Sequence, residues 1–422
     1  MFKEIEKLMV EGHSKKDIEY WPLLKHHIII RQANKNGIED LQYKSSSKIR
    51  LLFAFFLSVS NLLRAYFAPH TKAFFGASSR AIIKKGSLKD EFVSEDKLAD
   101  FTLLYHCSNY EKICLKTAFK KRIIFENLLM KCYTIIRSMF FKKDGISNEY
   151  FSSEMLGSLK ENFALKKSDI DLILFDFENK KRFYTLLLRF LNVDKTWLIS
   201  SYTKSAIISA SNNLQIETTE LQHGVVAPYH PSYSFAGARL WGSSLLPINL
   251  LLTSSFWLSF MEKSNFVDKL NISVNELAKD NTNILDTYCS SLQEGGGYIL
   301  FTGQGVCYNK VFDFIREFLS LNPMVKFVYR PHPREHLNYL AYTEHILSDN
   351  FIVIDRDSYA NTKQLVCGAK AHISIFSSCH FEAIELLNKT YVLDIIDNNL
   401  MEAGRGDDNI VFFKSAHELS LN

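Results

Sequence analysis

The run Glu294-Gly-Gly-Gly-Tyr-Ile-Leu-Phe-Thr-Gly-Gln-Gly305 carries three signals in succession. Its triple glycine separates one element from the next. Tyr298–Phe301 is an apolar stretch of strand length, and Gly303-Gln304-Gly305 is a turn whose glycines let backbone approach a ligand and aim amides at phosphate oxygens. The turn lacks the Gly-Lys-Ser/Thr ending of a Walker loop and the full GxGxxG spacing, so a plain tight turn is the competing reading. Downstream the same rhythm recurs. Strand-like runs lie at Lys326–Tyr329, Phe351–Ile354, His372–Phe376, Tyr391–Asp394 and Ile410–Phe413, with helical patterns in most of the gaps. Strands alternating with helices predict βαβ units and a parallel, doubly wound sheet, with ligand held outside the carboxyl ends of the strands.

Working back from the glycines, Thr196–Ser200, Ile216–Leu221 and Asn249–Thr253 read as strands. Thr203–Asn212 and a stretch from Ser255 read as helices, and Asn271–Asn283 as a polar segment. Residues 101–192 look mostly helical around a strand near Leu103–Tyr105. Ala73–Gly76 is a short strand, and Glu4–Val10, Ile18–Arg31 and Ser46–Phe67 are helices. The expected organisation is α/β, with a basic helical extension over 1–70 and Rossmann-like domains over 71–290 and 291–422. With 422 residues, 47% hydrophobic and 23% charged, the chain has ample material for two cores and is not a disordered or low-complexity protein.

The net charge of +4 conceals an asymmetry. Residues 1–90 hold 16 Lys+Arg against 8 Asp+Glu, and residues 41–89 hold nine basic residues and no acidic one. Within that stretch the apolar run Leu51–Leu63 follows Lys44, Lys48 and Arg50 and precedes Arg64. Thirteen helical residues cover about 20 Å, short of a hydrocarbon core of about 30 Å, so a transmembrane span is not expected. Two readings stand: a helix lying on an anionic membrane surface, and a buried helix with a solvated basic edge. A nucleic-acid patch has no zinc finger, RNP-like motif or Arg-rich repeat behind it, so no nucleic-acid partner is expected. The seven cysteines form no CxxC pair, and no secretory signal is evident, so a reducing cytoplasm is the expected compartment.

Polar residues concentrate after the predicted strands. Arg330-Pro-His332-Pro333 ends one strand in a loop stiffened by two prolines, where arginine suits bidentate phosphate contact. Ser377 and Ser378 open a helix, a ready anion site, with Glu382 one turn in, placed to accept from ribose hydroxyls; simple helix capping by Ser377 is compatible with that role. Glu220, Gln222, His223, His230 and Tyr233 gather around another strand end, with His223 before Gly224 a candidate general base. The tripeptides Asp169-Ile-Asp171 and Asp355-Arg-Asp357 pair carboxylates as a divalent-cation site does; the first falls at a helix start, where acids favour the dipole, the second follows a strand, and no metal site is expected.

The ordered set Glu220-Leu-Gln-His-Gly224 with His230 and Tyr233, then Arg330-Pro-His-Pro333, then Ser377-Ser378 with Glu382-Ala383, resembles the GT-B glycosyltransferases of bacterial capsule and surface-polysaccharide biosynthesis. The likeness spans residues 196–394. The His-Pro dipeptide ahead of a serine-rich helix start is similar to sialyltransferases, Kdo transferases and CDP-glycerol-dependent polymerases, although the Asp/Glu-Asp-Gly motif of sialyltransferases is missing. The resemblance implies two facing Rossmann-like domains. The first (71–290) would serve the acceptor and the second the nucleotide. Transfer would run from a nucleotide sugar, CMP- or UDP-linked, to a surface glycan (capsule or lipopolysaccharide) without a metal or other cofactor. It further implies nucleotide and phosphate contacts from Gly303, Gln304, Gly305, Arg330, His332, Ser377, Ser378 and Glu382. Acceptor contacts would come from Gln222, His230 and Tyr233, and a base, in an inverting reaction, from Glu220 or His223. A lipid-linked or nascent glycan acceptor would set the enzyme at the inner face of the membrane. The alternatives are a polyol-phosphate transferase and a catalytically silent scaffold or glycan-binding subunit.

Overall fold

The structure is a computed structural model that describes residues 14–35, 47–77, 81–84, 86–90, 92–108, 110–141, 145–222, 224, 233, 244–253, 257–258, 271–274, 292–293, 297–332, 335, 339–354, 362–396 and 400–419. The chain divides into two compact units: Met1–His223 with Pro231–Ala278, and Gly224–His230 with Lys279–Asn422. The expected helix over Glu4–Val10, together with His223 and His230, lies outside the described residues.

The first unit is built on a six-stranded parallel sheet. Its strands are β1 (Lys72–Ala77), β4 (Phe101–His106), β5 (Lys195–Ile199), β6 (Glu217–Leu221), β7 (Asn249–Leu252) and β8 (Asn271–Val274), in the order β4-β1-β5-β6-β7-β8. A small antiparallel hairpin, β2 (Ala81–Lys84) with β3 (Ser87–Asp90), interrupts the path from β1 to β4. β8 corrects the sequence reading, which left Asn271–Asn283 as a polar segment. Asn271-Ile-Ser-Val274 pairs only with β7, at the sheet edge, where alternating exposure suits polar residues. The helix Lys15–Lys35 contributes Trp21, Leu24 and Ile28 to the core of this unit, and the helix Lys48–Phe67 contributes Ala54 and Ala65.

The second unit carries β9 (Tyr298–Thr302), β10 (Lys326–Arg330), β11 (Phe351–Val353), β12 (Ala371–Ser374), β13 (Thr390–Leu393) and β14 (Ile410–Phe413). All are parallel, in the order β11-β10-β9-β12-β13-β14. Numbered from its own first strand, this is 3-2-1-4-5-6, the doubly wound dinucleotide-binding order. β9 is buried along its whole length, as expected of a central strand covered on both faces. The helix Tyr308–Leu321 lays Val311, Phe312, Phe314, Ile315, Phe318 and Leu319 onto the sheet. Each such aliphatic or aromatic side chain contributes about 1.5–3 kcal/mol of transfer free energy. The α/β, Rossmann-like character expected from the strand–helix rhythm is therefore present in both units.

Two buried histidines share the interior of the second unit with this apolar packing. His372 and His380 are fully enclosed, and the Thr390 hydroxyl lies between their Nδ1 atoms at 3.0 and 2.7 Å. One hydroxyl can donate to one ring and accept from the other, so a single threonine serves both. Thr302 Oγ1 meets His372 Nε2 at 2.9 Å, tying β9 to β12.

Candidate functional site

In the second sheet the winding reverses between β9 and β12, and the crevice at their carboxyl ends is where a doubly wound sheet holds its ligand. Three of the expected loops converge there. Arg330 is in register with Thr302, and Ile373 with Phe301, so the turns after β9, β10 and β12 emerge side by side. The Ser374 hydroxyl donates to the Thr302 carbonyl at 2.6 Å, and the Gly303 amide to the Arg330 carbonyl at 2.9 Å.

A residue that the sequence reading passed over organises these turns. Glu335 is 1% exposed; its Oε1 accepts from the His332 amide at 2.7 Å and the Gly305 amide at 3.1 Å, while Oε2 accepts from the Tyr329 hydroxyl at 2.7 Å. Burial pushes the carboxyl above its usual range, and the Tyr329, His332 and Gly305 donors pull it partly back. A Cβ on Gly303 would stand 2.2 Å from Glu335 Oε1 and 2.5 Å from the Tyr329 hydroxyl, so the absence of a side chain is what admits the carboxylate. Gly305 adopts φ +72°, the left-handed region glycine favours. The two glycine amides expected to meet phosphate are thus engaged within the protein, and the loop's contribution is shape. Gln304 folds back, Nε2 donating to the Gly303 carbonyl at 2.8 Å.

The other half of the crevice remains open to an anion. The Ser377 hydroxyl accepts from the Cys379 amide at 3.2 Å, but the helix N-cap is Ser378, whose side chain makes no capping bond, in place of the Ser377 cap expected. Among the described residues, the Ser377 and Ser378 amides and the Ser378 hydroxyl have no protein partner, at the positive end of the helix Cys379–Leu387. Glu382 is half-buried in the first turn of that helix. Arg330, half-buried, is steadied by donation from Nη1 to the Ile354 carbonyl at 3.0 Å.

In the first unit the expected cluster after β6 is an interior brace. Glu220 is fully buried; its Oε1 accepts from the Ser201 amide at 3.0 Å and the Tyr233 hydroxyl at 2.5 Å. Burial raises its pKa, and these donors offset part of that. Gln222 Oε1 accepts from the Thr253 amide and hydroxyl at 2.9 and 3.2 Å, linking β6 to β7. Glu220, Gln222 and Tyr233 are all within 2% of complete burial.

An exposed histidine does stand on the carboxyl edge of this sheet. His106 ends β4, opposite Ala77 at the end of β1, with its side chain 53% exposed. Its Nδ1 lies 3.2 Å from Oε1 of the buried Glu126, whose Oε2 accepts from the Tyr184 hydroxyl at 2.7 Å. Burial alone would raise the Glu126 pKa; His106, Lys204 and Tyr184 outweigh it and hold the carboxyl below its usual range. The buried carboxylate fixes one nitrogen of this exposed ring. Asp169 lies in the first turn of the helix Lys167–Leu191, and Asp171 accepts from the Ser147 amide, so this pair has a structural use. Asp355 and Asp357 lie outside the described residues. Among the described residues, no three His, Cys, Asp or Glu side chains gather as a metal site would require.

No family model matches the chain, and no curated protein does. Among solved structures the chain is similar to a glycotransferase of kitacinnamycin at 10% identity, over 84% of this chain and 88% of that one, with a TM-score of 0.46. It is also similar to the UDP-GlcNAc 2-epimerase of Neisseria meningitidis bound to UDP-GlcNAc at 16% identity, over 63% and 78%, TM-score 0.43. Acinetobacter baumannii MurG is similar at 11% identity, over 59% and 67%, TM-score 0.36.

Proposed function

We propose that the chain is a GT-B-type glycosyltransferase that moves a sugar from a nucleotide donor to a growing surface glycan. The observation that carries this reading is the crevice between β9 and β12, with the unpartnered Ser377 and Ser378 amides after β12 and Arg330 at the end of β10, the strand on the other side of β9. The order of the motifs, which resembles the capsule and surface-polysaccharide enzymes, supports the choice of substrate. The donor diphosphate or monophosphate binds at the Ser377–Ser378 helix start, with Arg330 beside it, and Glu382 accepts from the ribose. As the acceptor hydroxyl oxygen bonds to the anomeric carbon, the bond from that carbon to the phosphate oxygen breaks. The nucleotide then leaves with the electron pair, stabilised by these donors. The acceptor proton is given up to solvent water. Of the two candidates for a general base, Glu220 is enclosed and His223 lies outside the described residues.

The test is thermal melting of the purified protein against CMP, CDP, UDP and GDP. A nucleotide at 100 times its Kd adds about 2.7 kcal/mol, so one of the four shifts the melting temperature and Arg330→Ala removes the shift. Absence of a shift with all four nucleotides would overturn the donor-site reading.

A further inference from the structure

The helix Lys48–Phe67 is packed inside out. The stripe it turns to the fold is Ala54, Ser58, Asn61 and Ala65, small or polar residues at spacings of four, three and four. The face it turns away carries Ile49, Leu52, Phe53, Phe56, Leu63, Tyr66 and Phe67, each between 50% and 81% exposed. A helix of a water-soluble surface has the reverse arrangement. The inward contacts are specific: Asn61 Nδ2 donates to the Ala118 and Ile123 carbonyls at 3.3 and 2.9 Å, and the Ser58 hydroxyl accepts from the Phe125 amide at 3.0 Å. The helix is therefore part of the folded unit and not a span that leaves it. Its 20 residues, about 30 Å, would suffice for crossing by length, more than the thirteen-residue apolar run suggested. The hydrogen-bonded inner face is what excludes that.

Neighbouring elements add to the apolar surface. The helix Glu126–Ser138 packs beside it and, with the residues just beyond, exposes Ile135, Ile136, Met139, Phe140 and Phe141. Tyr66 stacks on Phe190 of the helix Lys167–Leu191 at 4.7 Å, extending the surface to Leu186. The charge around it is mostly positive, although exposed Glu111, on a segment the helix packs against, pairs with Arg50 at 3.6 Å. The helix contains Lys48, Arg50 and Arg64 and no acidic residue, and exposed Lys116, Lys120, Arg122 and Lys131 lie on the segments it packs against.

We infer that this face of the first unit lies in the surface of an anionic lipid bilayer, with the helix Lys48–Phe67 parallel to the membrane plane. Aromatic and aliphatic side chains enter the acyl boundary while the basic rim meets the headgroups. A second protein copy would bury the same apolar face but gives no account of the rim's excess of basic residues. The sequence had left a membrane-surface helix and a buried helix as alternatives; the outward aromatics remove the second.

The experiment is flotation of the full chain with vesicles of phosphatidylcholine alone and of phosphatidylcholine with about 30% phosphatidylglycerol, alongside sedimentation velocity without lipid. The expected result is co-flotation with the anionic vesicles. Partition should be at least tenfold weaker with neutral vesicles, should weaken with added salt, and should fall tenfold or more in Phe53→Ser/Phe56→Ser. Both substituted residues are exposed, and an unchanged melting temperature and circular dichroism spectrum verify that the variant is folded. A concentration-dependent dimer that the same variant abolishes, with no flotation, would overturn the inference in favour of a second copy. A monomer that floats with neither vesicle overturns it outright.

Discussion

At the level of single residues, Glu335 is the centre of the candidate site although nothing will touch it but protein. It accepts hydrogen bonds from the turn after β9 and from β10 with the loop that follows it, so its loss leaves three donors, Gly305, Tyr329 and His332, without their buried acceptor. Glu335→Ala is expected to cost the second unit about 3 kcal/mol, and to weaken nucleotide-induced stabilisation along with it. Glu335→Gln retains Oε1 for the two amides, and the Tyr329 hydroxyl can turn to accept from Nε2, so this variant should lose less than half as much. Urea unfolding of the two variants checks the difference. The strand-end loops that hold Arg330, His332, Ser377 and Ser378 are legible in the sequence because proline, glycine and serine punctuate strand ends in ways that local chemistry dictates. Glu335 was not, since its value comes from amides 30 residues away, at Gly305, as well as near ones. The same distance hid His106 and Glu126, 20 residues apart and joined only by the fold.

At the level of elements, helix and strand periodicity located most of both sheets, including every strand of the second. It failed where polarity misleads: Asn271–Val274 pairs at a sheet edge, where half its side chains face outward. For the helix Lys48–Phe67 the pattern gave its existence and left its orientation undecided, because an apolar stripe does not say what it faces. The outcome divides stability from surface chemistry along one helix. Asn61→Ala, which deletes a buried donor to two carbonyls, should lower stability by about 2 kcal/mol and leave vesicle partition of the folded protein unchanged. Phe53→Ser should do the reverse. Chemical denaturation and flotation of the two single variants, side by side, test that separation.

At the level of the whole molecule, acid sensitivity should be written into the second unit by its buried imidazoles. Burial lowers the His372 pKa to about 3, and His380 falls well below its usual value through burial and the neighbouring His372. Both rings are neutral in the folded protein. Below about pH 6.5 the unfolded chain takes up protons that the folded chain refuses, so stability is full above that pH and declines as the pH falls toward 3. For one such histidine the loss at pH 5 is about 2 kcal/mol. Denaturant midpoints measured at pH 7 and pH 5 should therefore fall, and His372→Gln should flatten the decline. An unchanged midpoint would show that the pair takes up protons in the folded state.

The way the aromatic helix is seated has a consequence for how the protein is made. Its anchors, Ala118, Ile123 and Phe125, lie 57 to 67 residues further along the chain. At about 5–20 residues per second, a ribosome needs roughly 3–13 s to supply them. During that interval the nascent chain offers a finished greasy segment with nothing to dock against. Whatever captures it first, a chaperone or a lipid surface, acts before the fold that will later hold it exists.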